Sequence, residues 1–289
     1  MSAGRYAPSP SGDLHVGNLR TAILAWLFAR SSGRTFVLRV DDLDRVRDGA
    51  EQRQLDDLTT LGIDWDGPVL HQSERRDAYA AAIAALSDRG LTYECFCTRR
   101  EILEAPTAPH HPPGSYPGTC RDLTDAERAE RRLQRPAAIR LRSDVIEWTV
   151  QDRLHGPYTG AVDDLVLRRG DGIPAYNLTV VLDDAYQCVD QVVRGDDLLS
   201  STPRQAYLAT LLDLSVPEYA HVPLVLNAQG ERLAKRDGAV TLRELTAHGI
   251  DVLTMIGESL GLSGSLRQML DEFDPASLSR EPWVFAPPE

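Results

Sequence analysis

The sequence has no long apolar run. No window approaches the length of a membrane-spanning helix, and the first residues, Met-Ser-Ala-Gly-Arg, lack the apolar stretch of a signal peptide. Internal repeats and low-complexity tracts are also missing. We therefore expect a cytoplasmic protein that has no membrane partner and lies in a reducing compartment.

An excess of basic residues is missing too. The formal net charge is −12, which argues against a protein coated in basic surface for general nucleic-acid binding. One segment departs from this balance, because seven arginines lie between Arg121 and Arg142. That segment could bind a polyanion, but charge alone slightly favours a solvated helix with pairs such as Glu127 and Arg131.

What remains is an ordinary globular composition with an alternating pattern. The 289 residues are 42% hydrophobic and 26% charged, enough for one or two domains with a buried core. Extended segments at 5–7 and 35–40 alternate with helical patterns at 19–28 and 50–61, and Ser73 is predicted to cap a further helix. Strands separated by helices predict an α/β fold around a parallel sheet, where ligands gather at the carboxyl ends of the strands.

The character of the sequence changes near residue 92. Residues 93–163 carry a proline-rich stretch and short strand signals, and we predict that they form an insertion rather than a continuation of the sheet. The α/β pattern resumes over residues 164–240 and completes the domain that residues 1–92 begin. Residues 241–289 are predicted to form a short helical part, with Thr241 opening a capping box.

The most informative segment is a proline- and glycine-rich turn at residues 9–18, which delivers His15 and Gly17 to the start of a helix. Helix N-termini expose unpaired N–H groups and carry a partial positive charge, so they bind phosphates. Gly17 leaves room for a phosphate to approach the backbone, and His15 supplies a donor beside it. An ordinary loop leading into a core helix fits the spacing equally well.

A second cationic loop lies far along the chain. Arg232, Lys235 and Arg236 stand between Gly230 and Gly238, a spacing that could hold a triphosphate. A lysine in such a loop neutralises developing negative charge as a mobile point charge. Most charge runs of this kind are solvated loops, so this segment alone is a weak signal.

Three cysteines lie close together in the predicted insertion, as Cys95, Cys97 and Cys120. In a reducing compartment such a cluster indicates a metal site before a disulfide, and thiolates favour zinc. A structural zinc site needs a fourth ligand, for which His110 or His111 is the conventional choice and Tyr116 the unconventional one. Three free cysteines without a metal are the alternative.

These segments together resemble one family. The turn at residues 15–18 resembles the HIGH signature of class I aminoacyl-tRNA synthetases, and residues 233–236 resemble their KMSKS loop. Further segments resemble the glutamyl branch of that family and occur in the expected order, at residues 5–12, 175–177, 193–197 and 202–205. Glutamyl-tRNA synthetases carry an additional anticodon-binding region, which we do not expect in a chain that ends at Glu289. The sequence is therefore more similar to the truncated glutamyl-Q tRNA(Asp) synthetases.

The resemblance implies a fold and a set of site residues. The fold is a Rossmann-like nucleotide-binding domain with a zinc-bearing insertion. The glutamate site implied by the family comprises Arg5, Ala7, Ser9, Asp41, Tyr176 and Arg194. The ATP site comprises His15, Gly17, Asn18 and Lys235, and the catalytic residues among them are His15, Asn18 and Lys235. The zinc ligands become Cys95, Cys97, Tyr116 and Cys120, which displaces the preference for a histidine.

Three positions depart from the family pattern. Asp41 stands where the family usually has glutamate, Arg232 replaces the first lysine of the KMSKS loop, and Ala234 replaces its usual serine. The loop keeps its charge at residue 232 but loses a hydroxyl donor at residue 234. We expect the two loop changes to affect the rate of activation rather than the existence of the site, and the shorter Asp41 could still meet the substrate ammonium, directly or through water.

The resemblance also implies an activity and its partners. The chain would activate L-glutamate with ATP and Mg²⁺ and transfer it to queuosine in the anticodon of tRNA(Asp). Separately, we expect the protein to be a monomer. One alternative is a truncated glutamyl-tRNA synthetase that charges the 3′ end of tRNA(Glu). A second is a non-catalytic zinc-containing module that binds tRNA or protein, and a third is a nucleotidyltransferase that acts on another small acid.

Overall fold

The computed structural model describes residues 2–104, 116–233, 238 and 240–286. Its centre is a seven-stranded sheet in the order β3-β2-β1-β9-β10-β6-β7, in which only the edge strand β7 runs antiparallel to its neighbour. The strands of this sheet are β1 (Ala3–Tyr6), β2 (Thr35–Val40), β3 (Leu70–His71), β6 (Glu147–Asp152), β7 (Gly156–Ala161), β9 (Val189–Gly195) and β10 (Glu218–Val222). The predicted α/β fold with a mostly parallel sheet is confirmed.

Two smaller sheets accompany the central one. An antiparallel sheet contains β4 (Thr92–Cys95), β5 (Ala138–Leu141) and β8 (Val166–Arg168). A short parallel pair joins β11 (Val225–Leu226) to β12 (Trp283–Val284). The antiparallel sheet carries the cysteine-rich segment away from the central sheet.

Ten helices of the described chain connect and cover these sheets, and several begin where the sequence predicts. They are α1 (Val16–Ser31), α2 (Ala50–Thr60), α3 (Arg76–Asp88), α4 (Arg99–Glu104), α5 (Asp125–Arg132), α6 (Tyr176–Tyr186), α7 (Thr202–Leu211), α8 (Leu242–Ala247), α9 (Val252–Ser259) and α10 (Leu266–Glu272). Thr124 and Thr241 close capping boxes at the starts of α5 and α8, as predicted. Within the described part of the chain, every helix is too short or too polar to cross a bilayer.

Two sequence predictions about local structure are wrong. Ser73 does not cap α3, because its hydroxyl and backbone N–H both bond to the Asp42 carboxylate and a short 3₁₀ turn precedes the helix. The segment predicted to lie outside the central sheet instead forms β6 and β7, which extend that sheet beyond β10. The division of the chain at residues 92, 163 and 240 remains a prediction.

Helix α1 is buried on most of its surface because it lies between the sheet and the C-terminal helices. Arg20, which is fully buried on α1, donates to the carbonyl of Pro223 at 3.0 Å and to the hydroxyl of Ser259 in α9 at 3.2 Å. The rings of Phe28 and Phe273 pack edge to face at 5.3 Å. These contacts fix α1 to the segment that follows β10 and to the C-terminal helices.

The strand order reverses between β1 and β9. From β1 the chain passes through α1 to β2 on one side, and from β9 it passes through α7 to β10 on the other. A crevice forms at such a switch point, at the carboxyl ends of the two strands. The candidate active site lies in that crevice.

Candidate active site and metal centre

A cavity of about 470 Å³ opens where β1 and β9 end. It brings together residues that are far apart in the sequence, from Arg5 to Leu233. Nine of the residues predicted to bind glutamate or ATP line it, namely Arg5, Ala7, Ser9, His15, Gly17, Asn18, Asp41, Tyr176 and Arg194. Lys235, the tenth, lies outside the described residues.

Arg5 crosses from β1 to the neighbouring strand. Its Nη1 donates to the carbonyl of Val193 in β9 at 3.0 Å, while its Nε lies 3.5 Å from Asp184 without a hydrogen-bond partner. Burial lowers the pKa of this guanidinium, although the nearby Asp184 opposes that shift. A buried cation with an unused donor is suited to binding an anionic ligand.

Arg39 anchors the acidic side of the cavity and was not predicted from the sequence. Its Nε donates to Asp41 at 2.8 Å and its Nη1 donates to Asp184 at 2.6 Å. Burial acts to lower the pKa of Arg39, but these carboxylates raise it well above its ordinary value. Burial raises the pKa of Asp41, and the attraction of the Arg39 cation opposes that shift. One carboxylate oxygen of Asp41 is thus occupied by a hydrogen bond within the protein.

Arg194 is held by uncharged partners on the opposite wall. Its Nε donates to Nε2 of His221 at 3.0 Å, and its Nη2 donates to the hydroxyl of Thr202 at 2.8 Å. His221 in turn lies 2.6 Å from a carboxylate oxygen of Asp152. His221 and Asp152 were not predicted from the sequence, because each stands alone within an ordinary strand pattern.

Tyr176 begins α6 at the rim of the cavity and is 43% exposed. Its exposed ring is available to a ligand that enters from solvent. Ala7 and Ser9 lie on the turn that follows β1, where the carbonyl of Pro8 accepts the N–H of Asp41 at 2.9 Å. This bond ties the turn to the end of β2.

His15 and Asn18 form the N-terminal cap of α1. The backbone N–H of Asn18 donates to Nδ1 of His15, and the side chain of Asn18 accepts the N–H of His15. A Cβ on Gly17 would lie 3.0 Å from the His15 ring. A larger residue at position 17 would therefore crowd the imidazole of His15 as well as a bound phosphate.

The second cationic loop begins and ends beside the cap of α1. Arg232 lines the same cavity and pairs with Asp197 at 2.6 Å. The N–H of Val16 donates to the carbonyl of Val240 at 2.8 Å. The two ends of the loop thus lie next to α1, while residues 234–237 lie outside the described chain.

The three clustered cysteines converge on Tyr116. The Sγ atoms of Cys95 and Cys97 lie 3.3 Å and 3.8 Å from the Tyr116 hydroxyl, and Cys97 and Cys120 are 3.6 Å apart. Zinc–sulfur bonds of about 2.3 Å give a tetrahedral edge of about 3.8 Å, so the spacing fits one metal ion. This cluster could hold a metal, whereas His110 and His111 lie outside the described residues.

Several donors surround the sulfur of Cys120. The N–H of Phe96 lies 3.5 Å from this sulfur and a guanidinium nitrogen of Arg131 lies 3.9 Å from it. Hydrogen bonds from these surroundings lower the pKa of Cys120, although burial opposes the shift. The guanidinium of Arg140 stacks on the Tyr116 ring at 3.7 Å. Burial, by contrast, raises the pKa of Cys97 to about 12 and also raises the pKa of Tyr116, so a metal ion would have to displace their protons on binding.

Comparison with known proteins agrees with this geometry. The family model for the catalytic domain of class I tRNA synthetases, E and Q, matches residues 3–273. A glutamyl-Q tRNA(Asp) synthetase of Nocardia farcinica is 69% identical over 98% of this chain and 92% of its own length. One from Cutibacterium acnes is 54% identical over 90% of this chain and 76% of its own length.

Solved structures show the same fold. A glutamate tRNA ligase from Elizabethkingia meningosepticum, crystallised with its amino acid, superposes with a TM-score of 0.81 at 26% identity. The match covers 99% of this chain and 67% of that one. With the family match and the curated relatives, this establishes that the chain belongs to the glutamyl-Q tRNA(Asp) synthetase family of class I tRNA synthetases.

Proposed function

We propose that this protein activates L-glutamate with ATP and transfers the glutamyl group to queuosine in the anticodon of tRNA(Asp). The observation that carries the proposal is the shared cavity, in which two buried guanidinium groups, Arg5 and Arg194, lie beside the N-terminus of α1. Fixed cations bind the carboxylates of a diacid, and a helix N-terminus binds the phosphates of a nucleotide, so the cavity suits both substrates.

The glutamate subsite is assigned to one half of the cavity. Arg5 and Arg194 bind the carboxylates, because each is buried and keeps a donor nitrogen without a hydrogen-bond partner in the described chain. The second oxygen of Asp41 receives the substrate ammonium, directly or through water. Tyr176, Ser9 and the backbone of Ala7 complete the subsite.

The ATP subsite is assigned to the cap of α1 and the second cationic loop. His15 and Asn18 donate to phosphate oxygens, while Gly17 keeps the imidazole close to the backbone. The family resemblance assigns Lys235 to neutralising charge on the phosphates. Mg²⁺ accompanies ATP and neutralises charge on the phosphate oxygens.

The activation step needs positioning and charge neutralisation. An α-carboxylate oxygen of glutamate attacks the α-phosphorus of ATP, a new P–O bond forms, and the bond to the leaving pyrophosphate breaks. The glutamyl group then passes from the adenylate to a hydroxyl of the acceptor, with release of AMP. No side chain of the protein acts as a nucleophile.

The cysteine cluster is assigned to one structural zinc ion. Cys95, Cys97, Tyr116 and Cys120 would hold it, and the backbone N–H of Cys120 donates to the Tyr116 oxygen at 2.8 Å. Burial raises the pKa of the Tyr116 phenol, and this donor opposes that shift, so a bound metal ion would supply the rest of the pull on its proton. When bound, zinc stabilises the fold of the insertion and takes no part in the reaction.

The acceptor is inferred from the curated relatives, whose name specifies tRNA(Asp). A second candidate is charging of tRNA(Glu), favoured by the fold shared with a glutamate tRNA ligase.

We also propose that the protein is a cytoplasmic monomer, since a single chain supplies the described lining of the cavity.

Glutamate-dependent exchange of pyrophosphate into ATP tests the activation step without any tRNA. We expect exchange with L-glutamate and little with aspartate, glutamine or glycine. Preference for another acid would favour the alternative nucleotidyltransferase, and exchange with none would favour the non-catalytic module. Heat-inactivated protein provides the blank.

A further inference from the structure

We infer that His221 is a positioning residue for Arg194, and that Asp152 selects the imidazole tautomer which this role requires. The inference rests on the proposed function, in which Arg194 binds a carboxylate of glutamate. It concerns a chain of three side chains that crosses the sheet from β6 through β10 to β9.

The hydrogen bonds define the tautomer. Arg194 always carries its protons, so the bond from its Nε to Nε2 of His221, at 3.0 Å, makes Nε2 an acceptor. The neutral ring must then carry its proton on Nδ1. That N–H donates to Asp152, whose Oδ2 lies 2.6 Å away.

Asp152 is itself fixed by the backbone. One carboxylate oxygen accepts the N–H groups of Leu154 and His155, each at 2.9 Å, and the other also accepts the N–H of His221 at 3.1 Å. The carboxylate of Asp152 and the ring of His221 are fully buried. The imidazole therefore has one orientation, set by Asp152 on the neighbouring strand β6.

The charges explain why an imidazole serves better than a carboxylate here. Arg39 contacts the carboxylates of Asp41 and Asp184, so its charge is largely used within the protein. In the described residues Arg194 forms no ion pair, since both its partners, His221 and Thr202, are uncharged. The carboxylate of Asp152 contacts the far nitrogen of the imidazole ring, Nδ1, at 2.6 Å.

The consequence is a guanidinium that is oriented but not neutralised. Its Nε and Nη2 are held in place, while Nη1 has no partner in the described chain and the side chain lines the cavity. A directly bound aspartate would orient Arg194 equally well but would compete with the substrate carboxylate. His221 avoids that competition because it accepts a hydrogen bond without carrying charge.

Steady-state exchange kinetics of full-length variants test this role. His221→Leu removes the acceptor, and losing one hydrogen bond to a charged group costs about tenfold or more in affinity. We expect the KM for glutamate to rise by at least that factor while the KM for ATP stays within about twofold. His221→Gln keeps an acceptor oxygen and should recover part of the loss.

His155→Leu is the matched control. This neighbouring histidine bonds to the backbone carbonyl of His221 and does not touch Arg194. Its KM values should match those of the unmodified protein. An unchanged glutamate KM in His221→Leu, in a protein that remains active, would overturn the inference. Inactivity of the unmodified protein would instead overturn the proposed function.

Nitrogen-15 NMR of the histidine rings gives a readout that does not depend on activity. In the unmodified protein the His221 signal, assigned by its loss in His221→Gln, should show a protonated Nδ1 and an unprotonated Nε2. In Asp152→Asn we expect the proton to move to Nε2 and the glutamate KM to rise. A proton on Nε2 in the unmodified protein would contradict the inference, even if His221→Leu fails to fold.

Discussion

His15 and Asn18 bond reciprocally across the first turn of α1. The N–H of Asn18 donates to Nδ1 of His15 at 3.3 Å, and Oδ1 of Asn18 accepts the N–H of His15 at 3.2 Å. Burial, reinforced by Arg232, lowers the pKa of His15 to about 4. The ring is therefore neutral at pH 7 and carries its proton on Nε2, as a donor for a phosphate oxygen.

Replacing His15 with asparagine separates its capping role from its proposed ATP contact. Asparagine is a good N-cap, so His15→Asn should change the free energy of unfolding by less than about 1 kcal/mol. Loss of the imidazole donor should lower the pyrophosphate exchange rate about tenfold or more. Thr124→Asn, at the N-cap of α5, is the control and should leave exchange unchanged. An unaffected rate in His15→Asn would remove His15 from the ATP site.

Acid should destabilise the protein partly through the same histidine. The folded His15 has a pKa of about 4, whereas the unfolded ring takes up its proton near 6.5. Between these values the unfolded state binds more protons, so stability falls as the pH falls through this window. We expect urea unfolding to show that His15→Asn loses less free energy of unfolding between pH 7 and pH 5 than the unmodified protein does.

His71 provides the opposite case for that experiment. A hydrogen bond to Glu51 at 2.8 Å raises the pKa of His71, so this pair adds stability below the unfolded pKa and loses it as pH rises. The variant His71→Asn lacks this contribution and should lose more stability between pH 7 and pH 5. If His15→Asn and His71→Asn lost equal free energies of unfolding between pH 7 and pH 5, the opposite pKa shifts of the two histidines would be contradicted.

Arg5 should be sensitive to a change that preserves its charge. Arg5→Lys cannot both donate to the carbonyl of Val193 and present a planar donor to a carboxylate, so the KM for glutamate should rise about tenfold or more. Arg34→Lys is the matched control, because Arg34 pairs with Asp190 and does not line the cavity. Equal effects of the two substitutions on the KM would argue against a glutamate-binding role for Arg5.

Metal analysis of the purified protein tests the cysteine cluster. We expect about one zinc per chain, lost in Cys97→Ser and reduced in Tyr116→Phe, with a lower unfolding temperature in both. Cys188→Ser should retain its zinc, since Cys188 is exposed and lies outside the cluster. Full zinc content in Tyr116→Phe would assign the fourth ligand elsewhere.

The sequence predicts local features well. The strand Thr35–Val40 and the capping boxes at Thr124 and Thr241 depend on neighbouring residues, whose propensities are readable. The shared cavity was predicted only because a family resemblance linked distant motifs. Arg39 and Asp184 form a buried pair across 145 positions, which no local pattern reveals.

The edge of the sheet was unpredictable for a related reason. Strand β6 joins β10 through a pairing between Asp152 and Tyr219. Its sequence reads like any short strand of the insertion, and the neighbour it selects depends on the packing of the whole domain. The bond between Asp152 and His221 follows from that pairing and could not be inferred before it.

Charging with radiolabelled glutamate shows directly whether the protein attaches glutamate to queuosine of tRNA(Asp). Purified tRNA(Asp) with queuosine, tRNA(Asp) without it, and tRNA(Glu) are offered separately, and the labelled nucleoside is located by nuclease digestion. We expect ATP-dependent label only on queuosine of tRNA(Asp). Label at the 3′ end of tRNA(Glu), with none on queuosine, would contradict it.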